Sequence, residues 1–213
     1  MNTQLRQKLI NIAKEKITSE DVSHDFDHSM RVLINAEEIA KVEFADMDII
    51  VPAALFHDVV CYPKNHPMSK YSAKESADLV ENILSEIDEY PKDKIKEVMT
   101  AIKECSFSKG IKPKSLESKI LQDADGLEAT GAIAIMRTFS SGGQMSVPFY
   151  HPDDPFPTKR TPDGLKYAID FFYTRLLKIK DRMHTKYAKR IAERRTLFLE
   201  DFLDEVKLEL QGK

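Results

Sequence analysis

The chain has 213 residues, 42% of them hydrophobic, enough for one sizeable core or at most two small ones. Seven Gly and ten Pro argue against a turn-rich all-β chain, and no run of about 18 apolar residues is present to span a membrane. The formal net charge of −3 hides a basic segment, residues 159–195, with 12 Lys/Arg against 4 Asp/Glu, which either binds an anion such as phosphate or forms a solvated helix face.

The N-terminal stretch MNTQLRQKLINIAKEK is polar with helical spacing of Leu5, Leu9, Ile10 and Ile12, which predicts a helix over 3–17 rather than a signal peptide. Two cysteines, Cys61 and Cys105, are too few for a disulfide framework, and a reducing cytoplasm is the simplest setting. After the cap-rich break ITSEDVSHD, the spacing of Met30, Val32, Leu33, Ala36, Ile39 and Ala40 predicts a helix over 26–42. A third helix begins at Asp46 or Asp48, passes Pro52 near its first turn and ends at about Asp58. CYPKNHPM, residues 61–68, reads as a loop, and helices follow at about 69–88 and 91–104.

One apolar helix is expected over 116–139, its small residues Ala124, Gly126, Ala129, Gly131, Ala132 and Ala134 suiting close backbone packing. Prolines and a Gly-Gly pair mark about 140–164 as a long loop or lid. Two long helices, about 165–183 and 185–210, complete the chain. No segment alternates as a strand does, so the reading is a single all-α domain over residues 1–213.

Within these helices stand polar residues that apolar surroundings disfavour. ALFHDVV carries His57-Asp58, and burying two ionisable groups without partners is costly. SHDFDHSMRV adds His24 and His28, and LQDADGLEATGA adds Asp123, Asp125 and Glu128. Helices that each present His or Asp inward build metal sites in bundles. Two imidazoles and two carboxylates, from His28, His57, Asp58 and Asp125, form a mixed N/O set suited to one divalent ion of Mn, Fe, Co, Ni or Zn. Spacing alone leaves open whether His24 or His28 is the ligand, and whether His57 simply bonds its neighbour.

HxxRV at His28–Val32, AALFHD at Ala53–Asp58 and DADGLEATGAIAI at Asp123–Ile135 together resemble the HD-domain metal-dependent phosphohydrolases, in particular their small stand-alone bacterial subgroup. The resemblance continues through YPKN near Tyr62, SFS at Ser106–Ser108, YHPDDPF and KIKDRMHT at Lys178–Thr185, so it spans nearly the whole chain. It implies an all-helical bundle of the HD-domain type, with His28, His57, Asp58 and Asp125 as metal ligands. The subgroup usually has His where Cys105 stands, Arg in place of Gly126 and Asp in place of Glu128. Such changes alter substrate preference or weaken activity, but the ligand set is intact.

The implied chemistry is hydrolysis of a phosphorylated small molecule, most simply a nucleotide, by a metal-activated water, as in a nucleoside-triphosphate pyrophosphohydrolase. A 5′-nucleotidase on the same scaffold, or a nucleotide-binding regulatory module that has lost catalysis, are the alternatives. Only His66 lies between the HD pair and Asp125, which favours one metal over two. Glu128 is a candidate for orienting the water, with a structural role as the alternative. Lys64, Arg137 and Lys180 are candidates for offsetting phosphate charge, Lys180 first because resemblance and charge clustering agree there. Cys61 and Cys105 are expected as buried thiols, His66, His151 and His184 as exposed, and Met30, Met136 and Phe171–Tyr173 as core. Neither a membrane nor nucleic acid is the expected partner.

Overall fold

The computed structural model describes residues 1–18, 24–62, 66–106 and 110–213. All regular structure among them is helical, as expected, and divides into two compact units, Met1–Asp125 and Gly126–Lys213.

The first unit is organised around α3, Met47–Phe56, in which every residue from Ile49 to Phe56 is buried. Such an all-round apolar helix can only sit inside a bundle. It packs against α1, Thr3–Lys16; α2, Phe26–Glu43; α4, Ser72–Ser85; and α5, Ile95–Glu104. Asp46 caps α3, its carboxylate accepting from the Asp48 N–H at 2.8 Å. Pro52 stands in the second turn of α3 rather than its first, and it has no N–H for the Asp48 carbonyl four residues earlier. The hydroxyl of buried Tyr90 donates to that carbonyl at 2.7 Å, so the sheltered acceptor is satisfied from outside the helix.

Helix α6, Leu116–Leu127, carries Asp125 and is tied into this unit by side-chain amides. Asn35 of α2 donates to the Ala124 carbonyl at 3.5 Å, and Gln122 donates to the carbonyls of Glu104 and Ile111 at 3.0 and 3.2 Å. The loop expected after the HD pair gives way to a 3₁₀ turn at Pro67–Tyr71, capped by the His66 ring.

The second unit departs further from the periodicity reading. The single helix expected over 116–139 is two, α6 and α7, Gly131–Gln144, because the Leu127 carbonyl is claimed elsewhere. It accepts from the Thr130 N–H at 3.1 Å, the Thr130 hydroxyl at 2.6 Å and Arg195 Nη1 at 3.1 Å. Gly131 then turns with φ +67°, which ends the first helix and begins the next. Residues 140–144, expected in the loop, extend α7 instead, with Gly142 and Gly143 tolerated in its last turn.

The loop proper is pinned rather than dangling. Ala168 and Ile169 N–H groups donate to the carbonyls of Pro148 and Phe149 at 3.0 and 2.8 Å. Arg160 forks onto the fully buried Asp170, which also accepts from the Asp163 N–H at 2.7 Å.

The long helix expected over 165–183 is shorter: α8 runs Ala168–Thr174 and a 3₁₀ stretch runs Leu176–Arg182. Arg175 leaves the helical region at φ −136°, ψ −62°, and the Thr174 hydroxyl bonds back to the Phe171 carbonyl, which also receives the Arg175 N–H. Helix α9, Lys186–Glu209, closes the unit over Ala134, Ile169, Phe172, Leu176, Leu199 and Leu203. Phe171 and Tyr173 pack beside that cluster, but Met136 faces solvent, contrary to its expected core role.

Candidate metal centre

The site lies wholly in the first unit, and each of its side chains is set by a local device. Asp25 caps α2 and accepts from the His28 N–H at 2.7 Å, placing His28 in the helix's first turn with its side chain fully buried. Helix α3 ends at Phe56, so His57 and Asp58 occupy the turn that follows it rather than the helical positions expected for the pair. Val59 N–H closes that turn on the Phe56 carbonyl at 3.2 Å, and Val60 N–H donates to the Ser76 hydroxyl of α4 at 3.0 Å. Asp125 projects from the last turn of α6.

His57 Nδ1 lies 2.9 Å from the Ala54 carbonyl. A carbonyl only accepts, so Nδ1 carries the proton and Nε2 presents a lone pair. That nitrogen faces Asp58 Oδ2 at 3.5 Å and Asp125 Oδ1 at 3.9 Å. His28 Nε2 faces the same two oxygens at 4.0 and 3.7 Å. Both imidazoles are buried, while the two carboxylates are about 30% exposed, so the cluster is closed on the imidazole side and open on the carboxylate side.

These separations are too long for hydrogen bonds, which run to about 3.2 Å. They are the size expected between donors arranged around one ion at about 2.0–2.2 Å, which in a tetrahedral arrangement stand roughly 3.4 Å apart. The donor set fits a divalent transition ion by its chemistry as well. Two carboxylates balance the charge, and a proton on His57 Nδ1 fixes the other nitrogen as the ligand atom.

The structure thus brings together His28, His57, Asp58 and Asp125. Of the two histidines that spacing left open, His28 sits against His57 with ring centroids 5.3 Å apart, while His24 lies edge-on to His28 at 5.8 Å. Cys105, where the resembled family has His, caps the end of α5 and is buried as expected. Burial first, and then the charges of Asp125 and Asp58, push its thiol well above the usual range, so the position faces this centre without supplying an imidazole.

The remaining candidates are placed differently. Glu128 and Arg137 lie in the second unit, where Glu128 is buried and Arg137 reaches it, Nη1 to Oε2 at 3.9 Å and Nη1 to its carbonyl at 3.4 Å. Lys180, in the same unit, pairs with Glu200 at 3.8 Å. Lys64 lies outside the described residues. His66 and His184 are exposed as expected, but His151 is half-buried, its ring accepting from the N–H groups of Asp153 and Asp154 and lying edge-on to Tyr167. Cys61, expected as buried, is exposed, and its sulfur clusters with donor atoms of His24 and Asp58 within 4.8 Å. Nothing in the periodicity signalled that group, because residues 24 and 61 meet only through the packing of α2 against the turn after α3.

Comparison with known proteins places these features in a family. The HD domain matches residues 25–130, a span that contains all four clustered residues. YpgQ of Bacillus subtilis is 29% identical over 197 residues, covering 92% of this chain and 89% of that protein. Its crystal structure in complex with ADP superposes with a TM-score of 0.73 at 26% identity, over 97% of this chain and 95% of that one. An HD-superfamily hydrolase from Bacillus thuringiensis gives a TM-score of 0.73 at 30% identity over 99% and 98% of the two chains. The Lin1889 protein from Listeria innocua gives 0.75 at 30% over the same shares. No described helix is long and apolar enough to cross a membrane.

Proposed function

This chain belongs to the HD-domain superfamily, and on that premise we propose that it is a metal-dependent phosphohydrolase of nucleotides, with His28, His57, Asp58 and Asp125 holding one divalent transition ion. The observation that carries the reading is the set of two imidazole nitrogens and two carboxylate oxygens at 3.5–4.0 Å. A divalent ion held there supplies a water of lowered pKa and polarises a phosphoryl oxygen.

The protein's own residues do the rest. Ala54 holds the His57 tautomer, Asp25 fixes the start of the helix bearing His28, and the exposed edges of Asp58 and Asp125 mark the side from which substrate and water arrive. Glu128 and Arg137, occupied with each other, fit a structural role in the second unit better than a part in the chemistry. Lys180, also in the second unit, has only a long, half-exposed and so weakly held contact with Glu200.

Nucleotide as the substrate class is supported by YpgQ, whose structure is a complex with ADP. Pyrophosphate release from a nucleoside triphosphate is the favoured reaction. The test is a panel of nucleoside mono-, di- and triphosphates with Mn²⁺, Co²⁺ and Zn²⁺, the products identified by phosphorus NMR. Pyrophosphate with a nucleoside monophosphate is the expected result. Orthophosphate from monophosphates alone identifies a 5′-nucleotidase instead, and binding without turnover under every metal identifies a regulatory module.

A further inference from the structure

Asp58 belongs to two donor groups. One holds His28, His57 and Asp125; in the other, His24 and Cys61 bring an imidazole nitrogen and a thiol sulfur within 4.8 Å of each other and of an Asp58 carboxylate oxygen. We propose that His24, Asp58 and Cys61 form a second cation site, with Asp58 bridging the two ions and Cys61 as a thiolate ligand. The proposal meets the reading above only at Asp58.

The three donors come from three places: His24 just before α2, Asp58 in the turn after α3, and Cys61 three residues further on. A carboxylate has two oxygens and about four lone-pair positions, enough for an ion on each side. The two groups differ in chemistry. The first is nitrogen and oxygen only and closed on its imidazole side. The second adds a soft sulfur and is open, with His24 half-buried and Cys61 exposed.

Sulfur with imidazole and carboxylate selects Zn²⁺, or Co²⁺ in its place, over Mg²⁺, Ca²⁺ or Mn²⁺. Three protein ligands leave positions on a Zn²⁺ ion for water or a phosphate oxygen. Cation binding on both sides of one carboxylate is also the arrangement that clamps a phosphoryl group between two ions. Greater exposure makes the second ion the more weakly held, so in the wild type it fills at a higher free-ion concentration than the first, independently of it. His24 lies outside the interval between His57 and Asp125, and Cys61 is a thiol, so neither enters the histidine spacing that favours one metal.

The test uses the full-length protein, stripped of metal and dialysed against rising Zn²⁺ or Co²⁺. Two ions per chain are expected at saturation, and the Co²⁺ form should show near-ultraviolet thiolate-to-cobalt charge transfer. Cys61→Ser and His24→Ala should each drop the content from two ions to one, Cys61→Ser abolishing the band. His57→Ala should lower the content while the band survives, which separates this site from the first. A single ion at saturation in the wild type, two ions without a thiolate band, or a band that persists in Cys61→Ser overturns the proposal. Full metal content in His57→Ala with the band lost in Cys61→Ser would instead overturn the first-site assignment and leave this one standing.

Discussion

His28 and His57 meet edge to face, ring centroids 5.3 Å apart and planes at 61°, so that both Nε2 atoms point at the same two carboxylates. The His57 lone pair and two anions turned toward one point repel each other unless a cation stands among them. Metal removal is therefore expected to cost stability as well as activity. An ion present at about 100 times its dissociation constant stabilises the fold by about 2.7 kcal/mol. For a chain of this size that corresponds to a melting temperature higher by roughly 5–10 °C. Calorimetry with and without EDTA should show that drop, reversed by adding back the ion. Asp125→Asn, which keeps the shape and removes the charge, should lose most of the EDTA sensitivity and lower turnover by at least about 100-fold.

The two cysteines separate cleanly by environment. Cys61 is exposed, whereas Cys105 is buried with its thiol pushed up by that burial and by Asp125 and Asp58. A thiolate is the reactive form, so Cys105 should be inert in the folded protein. Ellman's reagent at neutral pH should count one thiol per chain in the metal-free native protein and two in denaturant. Cys61→Ser should count close to none until unfolded. Two fast thiols in the native wild type would show that the α5 end opens readily.

How much of this was legible in the sequence follows from what each feature depends on. His57-Asp58 and Asp125 stood out because an apolar helix does not carry such groups without a reason, and α2 and α3 were readable from periodicity, α3 also from its Asp46 cap. The break between α6 and α7 was not readable, since apolar spacing continues across it. It is made by Arg195, 68 residues from the Leu127 carbonyl it occupies, and by the φ of Gly131. The shortening of α8 and the pinning of the loop likewise rest on local hydroxyl and Arg160–Asp170 contacts that composition does not reveal. Lys180 illustrates the limit from the other side: the charge run was plain, but its pairing with Glu200 was not.

Tyr90 compensates for Pro52, and the pair predicts a pH dependence. Tyr90→Phe keeps the ring in place but removes the hydroxyl that serves the Asp48 carbonyl, a cost of about 1–2 kcal/mol. Burial first, and then the charges of Asp48 and Asp46, raise the Tyr90 pKa far above its ordinary value of about 10. Between those two values the folded state keeps a proton that the unfolded chain releases, so wild-type stability falls as pH rises above about 10. Urea unfolding should show a constant gap between wild type and Tyr90→Phe from pH 6 to 9, narrowing above pH 10. A gap that widens there would reverse the assigned direction.

Gly131 is a residue at which the second unit is sensitive to a single methyl group. Its φ of +67° is left-handed, which costs an alanine roughly 1–2 kcal/mol. A Cβ there would also stand 3.2 Å from both Cβ and Cγ of Arg195, the stem of that side chain rather than its mobile end. Relieving the contact displaces the guanidinium from the Leu127 carbonyl, 3.1 Å away, and adds about 1 kcal/mol. Gly131→Ala is therefore expected to destabilise by about 2–3 kcal/mol. Gly110 supplies the control: its φ is +65°, but an added Cβ meets nothing within 4 Å. Gly110→Ala should cost only the conformational part, and the difference between the two variants in urea unfolding measures the Arg195 contact. Equal losses at both positions would mean that Arg195 yields freely and that the break between α6 and α7 rests on the backbone of Gly131 alone.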